Sequence, residues 1–195
     1  MSNILTFAIY CAVLLGTVLS QPPPDNASCM QGNSNTIRDC CQIPLFVDQS
    51  IMNRCATENP TIAPAPGVKK TEGCCIAQCI LTTLNIFKNG TIDKTAIKRA
   101  LSMSIIGADR NFGSLINNTV DDCYNLISTS PAFKAAPVSS TPGRPACSFL
   151  PEGFFNCFKS TLFQKCPAVV WIDSADCKQL KQKSISGCSF LSLMG

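Results

Sequence analysis

Cysteine is the residue type with the most chemistry to offer in this chain. Fourteen of its 195 residues are cysteine and none is histidine. A cysteine sulfur serves as nucleophile, metal ligand or half of a disulfide, and its surroundings decide which. Without histidine, the Ser-His-Asp, Cys-His and His-Asp arrangements of hydrolases cannot be built, and most zinc sites lose a ligand type. Disulfide-rich helical phospholipases, which use a His-Asp pair, are excluded on the same ground. An all-cysteine zinc site needs reduced thiols, which an exported chain does not keep. Asp121 and Asp122, and the pair Asp173 and Asp176, read as helix-start charges or solvated faces. No catalytic residue, metal or cofactor is expected, and the chain does not read as an enzyme. What remains for the cysteines is cross-linking.

Export is read from the N-terminus. MSNILTFAIYCAVLLGTVLS is apolar from Ile4 to Val18, too short to span a bilayer comfortably. Val18 and Ser20 supply the small residues of a cleavage site, although the segment lacks the usual Lys or Arg at its start. Residues 1–20 are therefore expected to be a signal peptide and 21–195 a single secreted, extracellular domain with no stable membrane insertion. Cys11 lies within the leader, so thirteen cysteines remain. The odd count allows at most six internal bridges and leaves one thiol over. Three sequons, at Asn26, Asn89 and Asn117, agree with secretion. The net charge of +4 is spread thinly, unlike the basic stripe of a nucleic-acid binder. Apolar residues make up 46% of the chain and charged ones 14%, more apolar material than a core of this size requires.

The elements that position the cysteines read as helices. GCCIAQCILTTLNIF places Cys75 and Cys79 four apart on one face, with Ile76, Ile80 and Leu84 along a neighbouring one. Asp93 is placed to cap TAIKRALSMSII, where Ile97, Leu101 and Ile105 form an i, i+4 stripe. NFGSLINNTVDDCYNLI carries Phe112, Ile116, Val120, Tyr124 and Ile127 at helical spacing, with Cys123 beside them. CFKSTLFQKCP is a further helix, with Phe155, Phe158 and Leu162 on one side, and Pro167 is expected to end it. AVVWIDSADCKQLKQK reads as one or two short helices. Strand alternation is absent over any useful length. The Pro-rich stretches ENPTIAPAPGVKK and SPAFKAAPVSSTPGRPAC read as surface loops within one cross-linked domain. The fold class is all-α, a disulfide-bridged bundle of about six to eight helices.

Cys157 and Cys166 lie nine positions apart, which on a helix puts them on opposite sides of the cylinder. A helix pinned on both faces is a strut. A compact solution joins Cys75 to Cys157, lets Cys79 hold an N-terminal segment, and ties Cys166 to something behind the strut. The adjacent pairs Cys40-Cys41 and Cys74-Cys75 cannot close on themselves without severe strain. A cage so braced no longer depends on a completely filled interior.

At these residues the chain resembles the insect odorant-binding proteins, in particular their cysteine-rich plus-C branch. The resemblance rests on Cys75-x3-Cys79, the run from Cys123 through Cys147 and Cys157, the x8 spacing to Cys166, the following Pro167, and then Cys177. It covers about Cys55 to Cys177, and NIFKNGTID resembles the turn those proteins carry between their third and fourth helices. The resemblance implies a helical fold around an apolar cavity. It also implies bridges from Cys55 (or Cys41) to Cys79, Cys75 to Cys157, and Cys123 or Cys147 to Cys166. The partners of Cys29, Cys40, Cys74 and Cys188 stay open.

The expected function is carriage of small hydrophobic, odorant- or pheromone-like molecules through aqueous fluid. The aliphatic stripes offer Ile80, Leu84, Ile97, Leu101, Ile105, Phe112, Ile116 and Val120 as cavity lining. Phe155, Phe158, Leu162 and Trp171 are further candidates near the strut, where Phe154 and Phe163 add aromatic walls. The apolar tail from Phe190 is suited to cover a cavity mouth. The rival reading is a secreted, disulfide-rich protein-interaction module with a solid interior. A homodimer and contact with a sensory receptor are compatible with either reading.

Overall fold

Helices carry most of the residues that the computed structural model describes, namely Cys29, 36–60, 74–104, 110–134, 146–188 and 190–193. Single turns form α1 (Ile37–Cys40) and α6 (Pro131–Lys134). Longer helices form α2 (Gln49–Glu58), α3 (Cys74–Thr83), α4 (Lys94–Ser104), α5 (Gly113–Thr129), α7 (Leu150–Gln164) and α8 (Ala175–Ile185). Turns of 3-10 helix precede α5 at Arg110–Phe112, follow α7 at Ala168–Val170, and lie near the C-terminus at Leu191–Leu193. The all-α class holds. Residues 1–20, the sequon at Asn26, Ile105 and most of both Pro-rich stretches lie outside the described residues.

Local chemistry explains where the helices start. Asp48 accepts from the Ser50 amide at 2.7 Å to open α2, and Asp93 accepts from the Ala96 amide at 3.0 Å to open α4, the cap its position predicts. Ser174 does the same for α8 through the Cys177 amide. Pro151 occupies the first turn of α7, where its missing N–H costs no helical bond. The end of α7 differs from expectation. The helix stops at Gln164, and the Lys165 amide donates back to the Thr161 carbonyl. Pro167 acts at one remove, because a proline pushes the residue before it out of the helical region.

One small sheet interrupts the helices. Phe87–Lys88 (β1) pairs antiparallel with Thr91–Ile92 (β2), with Phe87 opposite Ile92 and Lys88 opposite Thr91. The loop between them is Asn89-Gly90, both with positive φ, 51° and 75°. Two such residues in a two-residue loop are the signature of a type I′ hairpin. The Asn-Gly dipeptide was the available signal, and alternation over two-residue strands was too short to reveal it.

α5 packs along α7, α3 crosses α7, and α2 lies on α3. α4 lies against α5, while α8 braces both α7 and α1. Phe112 of the turn before α5, with Ile116 and Val120 of α5, meets Phe158, Leu162 and Phe163 of α7 in one buried core. A bridge between Cys41 and Trp171, with the Ile172 amide donating to the Cys40 carbonyl at 2.9 Å, fastens the N-terminal segment beyond α7.

Six disulfides brace these elements: Cys29–Cys188, Cys40–Cys177, Cys41–Cys166, Cys55–Cys79, Cys75–Cys147 and Cys123–Cys157. Cys55–Cys79 is one of the implied pairings. Cys75–Cys157 is corrected, since Cys75 meets Cys147 just ahead of α7 and Cys157 turns to Cys123 on α5. The reason is the packing of α5 along α7, which brings Cys123 to the Cys157 face. Cys166 pairs with neither Cys123 nor Cys147 but with Cys41, on the segment that runs behind the strut. Both cysteines of the strut are thus bridged to different elements. The adjacent pair Cys40-Cys41 splits between two partners, and the buried Cys74 takes part in none of the six bridges.

Candidate ligand-binding cavity

Between α3, α4, α7 and the segment leading into α2 the helices leave a cavity of about 440 Å³, within the range of small-molecule sites. α7 supplies one wall. Phe154, Phe155, Phe158 and Lys159, at positions i, i+1, i+4 and i+5, share one stripe of the helix and line the space. α3 contributes Ile76, Ala77, Ile80 and Leu81, and α4 contributes Ile97, Ala100 and Leu101. Leu84 and Ile86 close the end near the hairpin. Ile37, Ile43, Phe46, Val47 and Met52 form the N-terminal wall, where exposed Leu45 and Arg38 stand at the rim. Phe190 closes the C-terminal side.

The aromatic lining is ordered. Phe46 meets Phe158 edge-on with ring centroids 5.3 Å apart, and Phe154 stacks on Phe158 at 5.8 Å. Such pairs add about 0.5–1.5 kcal/mol each beyond the area they bury, and they hold the wall in place.

Four polar side chains interrupt the lining: Arg38, Glu152, Asn156 and Lys159. The Lys159 ammonium lies over the Phe46 ring at 5.2 Å and faces Phe190 at 6.0 Å. Withdrawal from water, with the Arg38 charge nearby, lowers its pKa to about 8. Withdrawal from water also raises the pKa of the Glu152 carboxyl. These two groups do not pair with each other: seven residues on one helix separate them by about 10 Å along the axis.

The residues anticipated as lining divide into three groups. Ile80, Leu84, Ile97, Leu101, Phe155 and Phe158 line the cavity. Phe112, Ile116, Val120 and Leu162 are buried in the α5–α7 core and do not reach it, because the α5 face that carries the stripe is covered by neighbouring helices. Trp171 is half-buried beside Phe163, with ring centroids 5.8 Å apart and the Lys181 ammonium 4.9 Å from its own centroid. It packs beyond the end of α7, away from the cavity. The N-terminal wall and Lys159 are lining that sequence periodicity missed, while Phe190 opens the apolar tail suited to cover a cavity mouth. Phe46 sits in an irregular segment with no period to read, and Lys159 looks like any exposed helical lysine.

The acidic clusters have structural work. Asp121 accepts from Lys98 at 2.7 Å and pairs with Lys94 at 3.2 Å, joining α5 to α4, and these contacts lower its pKa. Asp122 pairs with Lys165 at 3.6 Å and Asp173 with Lys178 at 2.9 Å. One group of three potential metal ligands occurs among the described residues, Cys74, Cys75 and Cys147. Two of those sulfurs are joined in a disulfide, which removes the thiolates a metal would need. Asn89 and Asn117 are exposed.

A second hollow, of about 520 Å³, lies on the other side of α7. Ser160, Thr161 and Ser184 give it a more polar wall. The apolar cavity is the better match to a hydrophobic guest.

A family model described as AgamOBP47-like matches residues 44–183. General odorant-binding protein 67 of Anopheles gambiae is 30% identical over 189 residues, covering 95% of this chain and 90% of that protein. Odorant-binding protein 47 of the same mosquito is 24% identical over 198 residues, covering 97% and 83% respectively.

Proposed function

The chain belongs to the insect odorant-binding protein family, and from that premise we propose that it carries small hydrophobic molecules of odorant or pheromone type in its cavity. The observation that supports this most directly is the cavity of about 440 Å³, whose described lining is aliphatic and aromatic at all but four side chains. Ile80, Leu84, Ile97, Leu101, Phe155 and Phe158 are the predicted residues that would touch the guest. A guest of about a dozen heavy atoms at roughly 0.5–0.7 kcal/mol per atom gains about 6–8 kcal/mol, which is micromolar binding. Such affinity serves a carrier, because it allows release.

Delivery would take place outside the cell after removal of residues 1–20. Six disulfides suit an oxidising compartment, and no helix among the described residues is long and apolar enough to cross a membrane. The test is titration of the oxidised 21–195 protein with N-phenyl-1-naphthylamine, followed by displacement with volatile hydrophobes. Saturable one-to-one uptake with micromolar displacement is expected. Uptake that is weak and never saturates would overturn the carrier reading and favour a protein-binding module.

A further inference from the structure

The carrier reading leaves Lys159 unexplained, since a cavity meant only for neutral hydrocarbon has no use for an ammonium in its wall. The lysine stands on the cavity-facing stripe of α7, directly after Phe158. Its amino group lies between two aromatic rings, Phe46 at 5.2 Å and Phe190 at 6.0 Å. It makes no salt bridge or hydrogen bond to a described residue. Glu152 is about 10 Å away along the same helix. The charge that acts on Lys159 is the like charge of Arg38 at the rim. A cation withdrawn from water, with only ring faces for partners and a second cation beside it, is electrostatically incomplete. A ligand that brought one negative charge to this point would satisfy the ammonium with a charge-assisted hydrogen bond and relieve its repulsion from Arg38.

We propose that the cavity selects amphiphiles with an anionic head, namely medium- and long-chain monocarboxylates, and that Lys159 is the residue that anchors the carboxylate. The head sits between Phe46 and Phe190 near the Arg38 rim. The hydrocarbon chain runs inward along Ile80, Ile97 and Leu101. Head and tail thus meet the cationic and the aliphatic side chains of the same lining. The proposal rests on the carrier reading and adds the chemical class of its ligand.

The experiment compares decanoate, methyl decanoate and decan-1-ol as displacers of N-phenyl-1-naphthylamine at pH 7, for the native protein and for Lys159→Met and Lys159→Arg. Partition into an apolar space by itself favours the alcohol and the ester over the ionised acid. The native protein is expected to bind decanoate at least about tenfold more tightly than decan-1-ol, the size of one charge-assisted hydrogen bond. Lys159→Met should abolish that preference, read within the variant itself as the ratio of its decanoate to its decan-1-ol displacement constant. Lys159→Arg should retain the preference. Native protein that takes up the probe but binds the alcohol as well as the acid would overturn the proposal and leave the carrier reading standing. A preference that survives in Lys159→Met would overturn the role of Lys159. Absence of probe uptake in the native protein would remove the carrier reading and this proposal together.

Discussion

Lys159 sets a cost on the ligand-free fold that pH should reveal. Its pKa is about 8 in the folded protein against 10.5 for an ordinary lysine. Below pH 8 it is protonated in both states, and folding carries the full penalty of withdrawing the ammonium from water. Between about pH 8 and 10.5 the folded protein loses the proton while the unfolded chain keeps it, so stability contributed by this residue rises with pH. Above 10.5 both states are neutral and the penalty is gone. Lys159→Met keeps an unbranched side chain, one atom shorter, and removes the charge. It should stabilise the ligand-free protein at pH 7 by about 1–2 kcal/mol, and the gain should vanish as pH approaches 10.5. Thermal melts of both proteins across pH 7 to 10.5 measure it. A variant that melts at or below the native temperature at pH 7 would show that the ammonium is adequately solvated. Nothing in the local sequence marks this lysine, because its neighbours on α7 are ordinary helical ones and its partners Phe46 and Phe190 are far away in the chain.

At the scale of elements, the hairpin between α3 and α4 sets the angle at which Ile97 and Leu101 enter the cavity. The Asp93 amide donates to the Ile86 carbonyl at 2.8 Å, so the base of the hairpin is continuous with the cap of α4. Gly90 has φ of +75°, and a Cβ there would meet no neighbour. The effect of Gly90→Ala is therefore purely conformational and should cost about 1–2 kcal/mol, the penalty of the left-handed region for an L-residue. Guanidinium unfolding would register it as a lower midpoint with an unchanged slope. An unchanged midpoint would mean that the turn relaxes to another type without loss. The helices α3, α4, α5, α7 and α8 were legible from their apolar period, whereas α2, with only Cys55 buried along it, was not. The strut was read as a helix pinned on both faces by Cys157 and Cys166; Cys157 is bridged from within α7, whereas Cys166 is bridged from beyond its end. Its end was misplaced, since the influence of Pro167 falls on the residue before it rather than on the proline alone.

At the scale of the molecule, Cys29–Cys188, Cys40–Cys177 and Cys41–Cys166 are nested one inside the next. Cys29–Cys188 spans 159 residues in sequence, and alone it would constrain the unfolded chain by about 5 kcal/mol. Cys40–Cys177 already joins the same two segments, so the additional loop closed is only about two dozen residues, worth about 3 kcal/mol. Cys55–Cys79 closes a loop of similar size, with a separation of 24. Replacing both cysteines of either bridge with serine should therefore cost nearly the same stability in chemical denaturation. A much larger loss for Cys29→Ser/Cys188→Ser would show that the outer bridge holds native packing rather than limiting the unfolded chain.

The sequence by itself determined that the segments of α3, α4, α5, α7 and α8 are helical, that the cysteines are cross-links, and that the chain is 46% apolar against 14% charged. These are local or compositional properties: a side chain's direction is fixed relative to its own helix axis, and a count needs no geometry. Only the tertiary structure decided what lies opposite each face. The stripe of Ile97 and Leu101 opens on a cavity, while that of Phe112, Ile116 and Val120, equally regular, closes against other helices. The cysteine pairings followed the same rule, because Cys157 bonds whichever helix packs beside it. Lys159 acquired its aromatic neighbours in the same way, from segments more than a hundred residues before it and about thirty after it along the chain.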